Sequence, residues 1–195
     1  MKKRKLRVGI LFGGKSGEHE VSFCSASSII EAMDREKYEV VPIGITKSGC
    51  WLSPRESYLA LQTGKIEGKS RIACKSGSDE KQLIVISKES NKTEYSFVDK
   101  LDVIFPVLHG PYGEDGTVQG LLELINIPYV GSGVAASAVA MDKDLMKKIF
   151  QQNTLPQTKW ITIKRKRWIL AKEKVLNEIN NQLIYPIFIK PTNLG

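Results

Sequence analysis

Cysteine and histidine are scarce in this 195-residue sequence: Cys24, Cys50 and Cys74 form no CxxC pair, and only two histidines accompany them. A zinc site is therefore not expected, and an odd, scattered set of thiols fits a reducing compartment. No apolar run approaches the roughly 20 residues that cross a bilayer. The amino terminus is basic and then apolar, which superficially resembles a secretory signal. But Val8–Phe12 is short, broken by Gly9 and followed by charged residues, so it reads as a first β-strand. The expectation is a cytoplasmic protein.

What is present is ordinary for a globular chain: 42% hydrophobic and 26% charged residues. The length suits one domain with a smaller second one. The net charge of +8 gathers in Lys2, Lys3, Arg4 and Lys5 and in Lys164, Arg165, Lys166 and Arg167. Such runs can bind nucleic acid or an anionic membrane, but more often they are solvated faces, and neither partner is expected.

Leu6–Phe12 is a compact apolar run ending in Gly13-Gly14. Ala26, Ile29, Ile30 and Met33 then share one helix face, and Tyr38–Ile45 reads as a second buried strand. Strand, helix, strand predicts a parallel sheet covered by helices. Cys50–Leu52 reads as a short strand. Residues 53–82 read as mostly loop with a short helix near Tyr58–Leu61, and 83–98 as a hairpin turning at Ser87–Lys92. Leu101–Leu108 reads as a further strand, followed by a helix with Val118, Leu121, Leu122 and Ile125 on one face and Asp115 placed to cap it. Pro128–Val130 predicts a short strand, Ala135–Gln152 one helix, Thr158–Ile163 a strand, Ala171–Asn181 a helix and Pro186–Lys190 a strand. The domain boundary is placed at residue 140.

Four stretches carry chemistry. Gly13–Ser22 holds glycines at the carboxyl end of a strand, where open α/β sheets bind ligands. It is neither GxGxxG nor a P-loop. Glu18 there can hold a substrate ammonium, or Glu18 and Glu20 can cap the next helix. His109–Gln119 is a second glycine loop at a strand end, placing His109 to face a ligand or to bond its own loop. Lys143 and Lys190 can each point a cation at phosphate or lie on the surface as ordinary charges. Spacing alone leaves these alternatives open.

Together LFGGKSGEHEVS (Leu11–Ser22), LHGPYGEDGTVQG (Leu108–Gly120), PYVGSGVAASAVAMDK (Pro128–Lys143) and FIKPTNLG (Phe188–Gly195) resemble, in order and spacing, the motifs of D-alanine–D-alanine ligases. The resemblance implies an α/β fold: a parallel-sheet pre-ATP-grasp domain (1–140), on the substrate side, followed by the first part of an ATP-grasp domain (141–195). It implies ATP-dependent joining of two D-alanines through an acyl phosphate, for peptidoglycan precursors. Glu18 then resembles the glutamate holding the first D-alanine's ammonium, and His109 the histidine beside it. Lys143 and Lys190 resemble the two lysines that contact ATP phosphates. A homodimer through the first domain is also implied.

In the family the last motif continues into a phosphate-covering loop. A second lobe, a lid, the acidic magnesium ligands and an arginine follow. The chain alone is therefore expected not to ligate D-alanine, with 141–195 loosely ordered or self-associating. Two other readings stand beside this one. The first is a D-alanine–D-lactate ligase, because Gly44–Gly49 also resembles vancomycin-resistance ligases, whereas Pro111-Tyr112 favours the D-alanine enzyme. The second is a non-catalytic remnant that binds a ligand or partner chain.

Overall fold

The computed structural model describes residues 4–66, 71–74, 83–89, 92–98 and 100–194. Lys2, Lys3 and Gly195 lie outside the described residues, as do most of the stretch 67–82 and the hairpin tip at 90–91. Two compact units divide the chain, 1–138 and 139–194.

The first unit begins with β1 (Leu6–Gly13), α1 (His19–Ala32) and β2 (Tyr38–Ile45), the βαβ unit that the periodicity predicts. α2 (Pro54–Thr63) follows, then the antiparallel strands β3 (Arg71–Cys74), β4 (Leu83–Glu89) and β5 (Lys92–Val98), and then β6 (Val103–Pro106) and α3 (Thr117–Leu124). β2, β1 and β6 form a parallel sheet in that order, in which Ile10 faces Pro42 on one side and Phe105 on the other. Tyr129 adds a parallel bridge to Ile104.

Alternate residues of β1 face opposite ways, so one strand serves two cores. Val8, Ile10 and Phe12 pack with Ala26 and Ile30 of α1, whereas Leu11 packs with Val118 and Leu122 of α3 and with Leu83 and Val98 of the antiparallel sheet. Ile10, Leu11 and Phe12 are fully buried.

The start of β1 is tied by an acid. Asp102 accepts the Arg7 backbone N–H at 2.7 Å and the Arg4 guanidinium at 2.6 Å. These bonds, the Arg7 N–H foremost, hold the Asp102 carboxyl below its ordinary range. A depressed folded-state pKa adds stability above the unfolded value near 4 and loses it as pH falls through the folded value. Asp102→Asn should therefore lower stability by about 1 kcal/mol at neutral pH. The difference should shrink below about pH 4. Urea midpoints measured across that range check this, and a pH-independent difference would rule the mechanism out.

Five expectations need correction. α2 is a ten-residue helix reaching back to Pro54, because Ser53 and Glu56 form a reciprocal capping box. Gly116, not Asp115, occupies the N-cap of α3, although Asp115 accepts the Thr117 N–H at 3.0 Å. The expected helix 135–152 is two, α4 (Val134–Met141) and α5 (Lys143–Gln152), broken where Asp142 turns extended and caps α5 through the N–H groups of Asp144 and Leu145. Thr158–Ile163 and Pro186–Lys190 pair in no ladder among the described residues. The latter leaves Phe188 and Ile189 88% and 93% exposed.

The basic run Lys164–Arg167 instead enters α6 (Arg165–Leu170), which precedes α7 (Lys172–Gln182). Arg167 pairs with Glu178 between them, and Val175 is fully buried.

Candidate functional site

The carboxyl ends of β1 and β6 are bound together by α1. Gly13 N–H donates to the fully buried Ser22 hydroxyl at 2.8 Å, and that hydroxyl donates to the Val107 carbonyl. Two glycine loops thereby leave the sheet side by side. Gly110 has φ 70°, and a Cβ there would sit 2.9 Å from Glu18 Oε2 and 3.3 Å from Ser16 Cβ. The Glu18 carboxylate thus lies directly against the residue after His109.

Glu18 occupies the N-cap position of α1, yet its side chain makes no capping bond. Its carboxylate is exposed, and no cation or N–H pairs with it among the described residues. Glu20, in contrast, is engaged by Lys47 at 2.5 Å, which lowers its pKa. The capping alternative therefore has no hydrogen bond behind it at Glu18, and a charged acceptor stands open at the loop mouth.

His109 is half-buried, and its Nε2 lies 3.1 Å from the Ser25 hydroxyl of α1. The 109–116 loop is held from within. Gly110 N–H donates to Glu114 at 2.6 Å, and Gln119 donates to the Gly113 carbonyl at 2.9 Å. Asp115 accepts from Tyr112 N–H at 2.8 Å; burial works to raise its pKa, but this bond and those from Thr117 outweigh it and lower it. Lys15 bridges the loops: its Nζ stands 5.2 Å from the Tyr112 ring centroid and its stem packs on Gly49.

In the second unit Lys143 opens α5. Its backbone N–H donates to the Thr192 carbonyl at 3.0 Å, and its ammonium donates to the Leu194 carbonyl. The third and fourth motifs therefore meet at Lys143, whereas Lys190 is exposed. Among the described residues no group of three or more His, Cys, Asp or Glu could hold a metal ion.

Sequence reasoning missed Ser22, Ser25 and Lys15. The two serines recur at i and i+3 on the helix face that meets β6. That spacing is a usable signal only once the pairing of β1 with β6 is known.

Residues 7–132 match the family model described as D-ala D-ala ligase N-terminus, and 149–195 match D-ala D-ala ligase C-terminus. A D-alanine–D-alanine ligase from Natranaerobius thermophilus is 48% identical over 98% of this chain and 51% of its own length. Among solved structures, the D-alanine–D-alanine ligase from Coxiella burnetii aligns at 33% identity with a TM-score of 0.77, covering 99% of this chain and 53% of that one. The VanG D-Ala:D-Ser ligase from Enterococcus faecalis aligns at 34% identity and TM-score 0.73, covering 98% and 53%. The chain spans about half the length of the curated relatives it matches.

Proposed function

Because this chain belongs to the D-alanine–D-alanine ligase family, we propose that its first unit binds the D-alanine that is activated and its second unit supplies part of an ATP site. The reaction is ATP-dependent dipeptide formation for peptidoglycan precursors, in the cytoplasm. The observation that carries this reading is the open Glu18 carboxylate lying on Gly110, beside His109.

The chemistry sets what these residues must do. A free carboxylate is a poor electrophile. The first D-alanine carboxylate attacks the γ-phosphate of ATP and ADP leaves; the amine of the second then attacks the acyl phosphate, and phosphate departs. Glu18 fixes the first ammonium by a charge-assisted bond, which orients the carboxylate at the other end of a three-carbon molecule. His109 lies beside it. Lys143 and Lys190 offset phosphate charge, with the Lys143 ammonium exchanging its carbonyl partner for phosphate. No group of three or more acids among the described residues could hold magnesium, and no step here is routed through the ion. A homodimer through the first unit completes the proposal.

Two solved ligases whose names differ in the second substrate, D-serine and D-alanine, align with this chain at 34% and 33% identity. That favours placing here the site for the D-alanine both names share, with the choice of second substrate made elsewhere. The test is a titration of the ¹⁵N-labelled chain. D-alanine should shift the amides of 16–18 and 109–111 with saturation, L-alanine should do so at least about tenfold more weakly, and ATP should shift those near Lys143 and Thr192. Equal responses to both alanine enantiomers would sink the reading.

A further inference from the structure

We propose that Ser25 is a positioning residue that holds neutral His109 in the tautomer protonated on Nδ1, leaving Nδ1–H as the ring's free donor. α1 carries four serines on the turns near the site, and they differ in where their hydroxyls go. Ser27 and Ser28 donate back to the Phe23 and Cys24 carbonyls, each at 3.2 Å, the usual local bond of a helical serine. Ser22 donates across to the Val107 carbonyl. Ser25 bonds, among the described residues, only to His109 Nε2, at 3.1 Å.

A hydroxyl has one proton and must place it. With the ring nitrogen as its partner, Ser25 donates and Nε2 accepts, so the neutral ring keeps its proton on Nδ1. The opposite arrangement would make Nε2–H the donor and leave the half-buried Ser25 proton with no acceptor among the described residues. Free imidazole side chains in water favour the proton on Nε2, so the serine works against the default. Ser22 makes the contact possible: by pinning α1 to Val107 it brings the next serine on the same face, at i+3, to the side chain two residues further along the chain.

His19 provides an internal reference. Its Nδ1 lies 2.7 Å from the Gly14 carbonyl, which can only accept, so Nδ1 is protonated there for a main-chain reason. The chain's two histidines thus share one tautomer set by two different groups. That the free Nδ1–H of His109 serves the carboxylate of the amino acid held by Glu18 rests on the function proposed above; the tautomer itself does not.

Long-range proton–nitrogen spectra of the histidine-labelled chain, recorded about two units above the ordinary histidine pKa of ~6.5, decide the matter. Both rings should show a protonated Nδ1 and a bare Nε2. Ser25→Ala should return His109 to the aqueous pattern, with Nε2 protonated, and leave His19 unchanged as a reporter of the fold. Ser25→Thr should keep the wild-type pattern. A wild-type His109 protonated on Nε2 overturns the proposal on its own, without any variant, and so does a Ser25→Ala spectrum identical to wild type. D-alanine is then added. An intact tautomer with no shift of the His109 signals defeats the amino-acid site while leaving the role of Ser25 standing.

Discussion

Gly13→Ala should destabilise the first unit by roughly 3–5 kcal/mol, a large share of the 5–15 kcal/mol typical of a domain. Gly13 ends β1 with φ 89°, and a Cβ there would lie 2.3 Å from the Ile45 carbonyl oxygen, 3.0 Å from His19 Cε1 and 3.1 Å from Ile66 Cδ1. The left-handed backbone alone costs an alanine about 1–2 kcal/mol. The greater cost is the carbonyl, which belongs to the neighbouring strand and cannot rotate aside. It also accepts the Gly14 N–H at 2.8 Å. Moving it breaks that bond and disturbs the Gly13 N–H to Ser22 bond that joins helix to sheet. Gly17→Ala is the control free of both costs, since its φ is not left-handed and nothing lies within 4 Å of its Cβ position. Urea unfolding of both variants measures the contrast, and a Gly13→Ala midpoint equal to that of Gly17→Ala would show that the strand end yields more readily than its contacts imply.

The same contrast explains what can be read from the sequence. β1, α1 and β2 are legible because their information is local: Leu6–Phe12 is apolar apart from Arg7, and Ala26, Ile29, Ile30 and Met33 repeat at helical spacing. α2 has a blurred period, yet its start is written in Ser53-Pro54-Arg55-Glu56, a capping box with proline at the first turn. A composition-led reading of 53–82 as loop passes over it. The break at Asp142 is equally local, but an acid within a helical pattern reads as one more exposed charge until its carboxylate is seen on Asp144 and Leu145. Thr158–Ile163 and Pro186–Lys190 fail for a different reason. An apolar stretch can specify extended backbone, but a strand exists only where a second segment completes the ladder. The site divides likewise. Glu18 and His109 stand in recognisable glycine loops, whereas the Ser25 contact depends on a pairing 84 residues distant in the chain.

Glu18→Gln should weaken D-alanine binding roughly 3- to 13-fold, the loss expected when a charge-assisted bond of about 1.5–3 kcal/mol becomes a neutral one about half as strong. The substitution keeps the shape and one acceptor oxygen, so the loss reports charge. Propionate, which is D-alanine without its ammonium, supplies the other side of the comparison. It should bind weakly to the wild type and almost equally weakly to the variant. Gly110→Ala approaches the same carboxylate sterically, since its Cβ would press on Glu18 Oε2 at 2.9 Å from a residue with φ 70°. It should weaken D-alanine while leaving the charge of Glu18 in place. Calorimetric titration of the three proteins with both ligands separates the alternatives. If Glu18→Gln lowers D-alanine and propionate affinity by the same factor, Glu18 does not hold the ammonium. If only D-alanine suffers, in both variants, the carboxylate must be both charged and correctly placed, which is what its position on Gly110 without a competing partner allows.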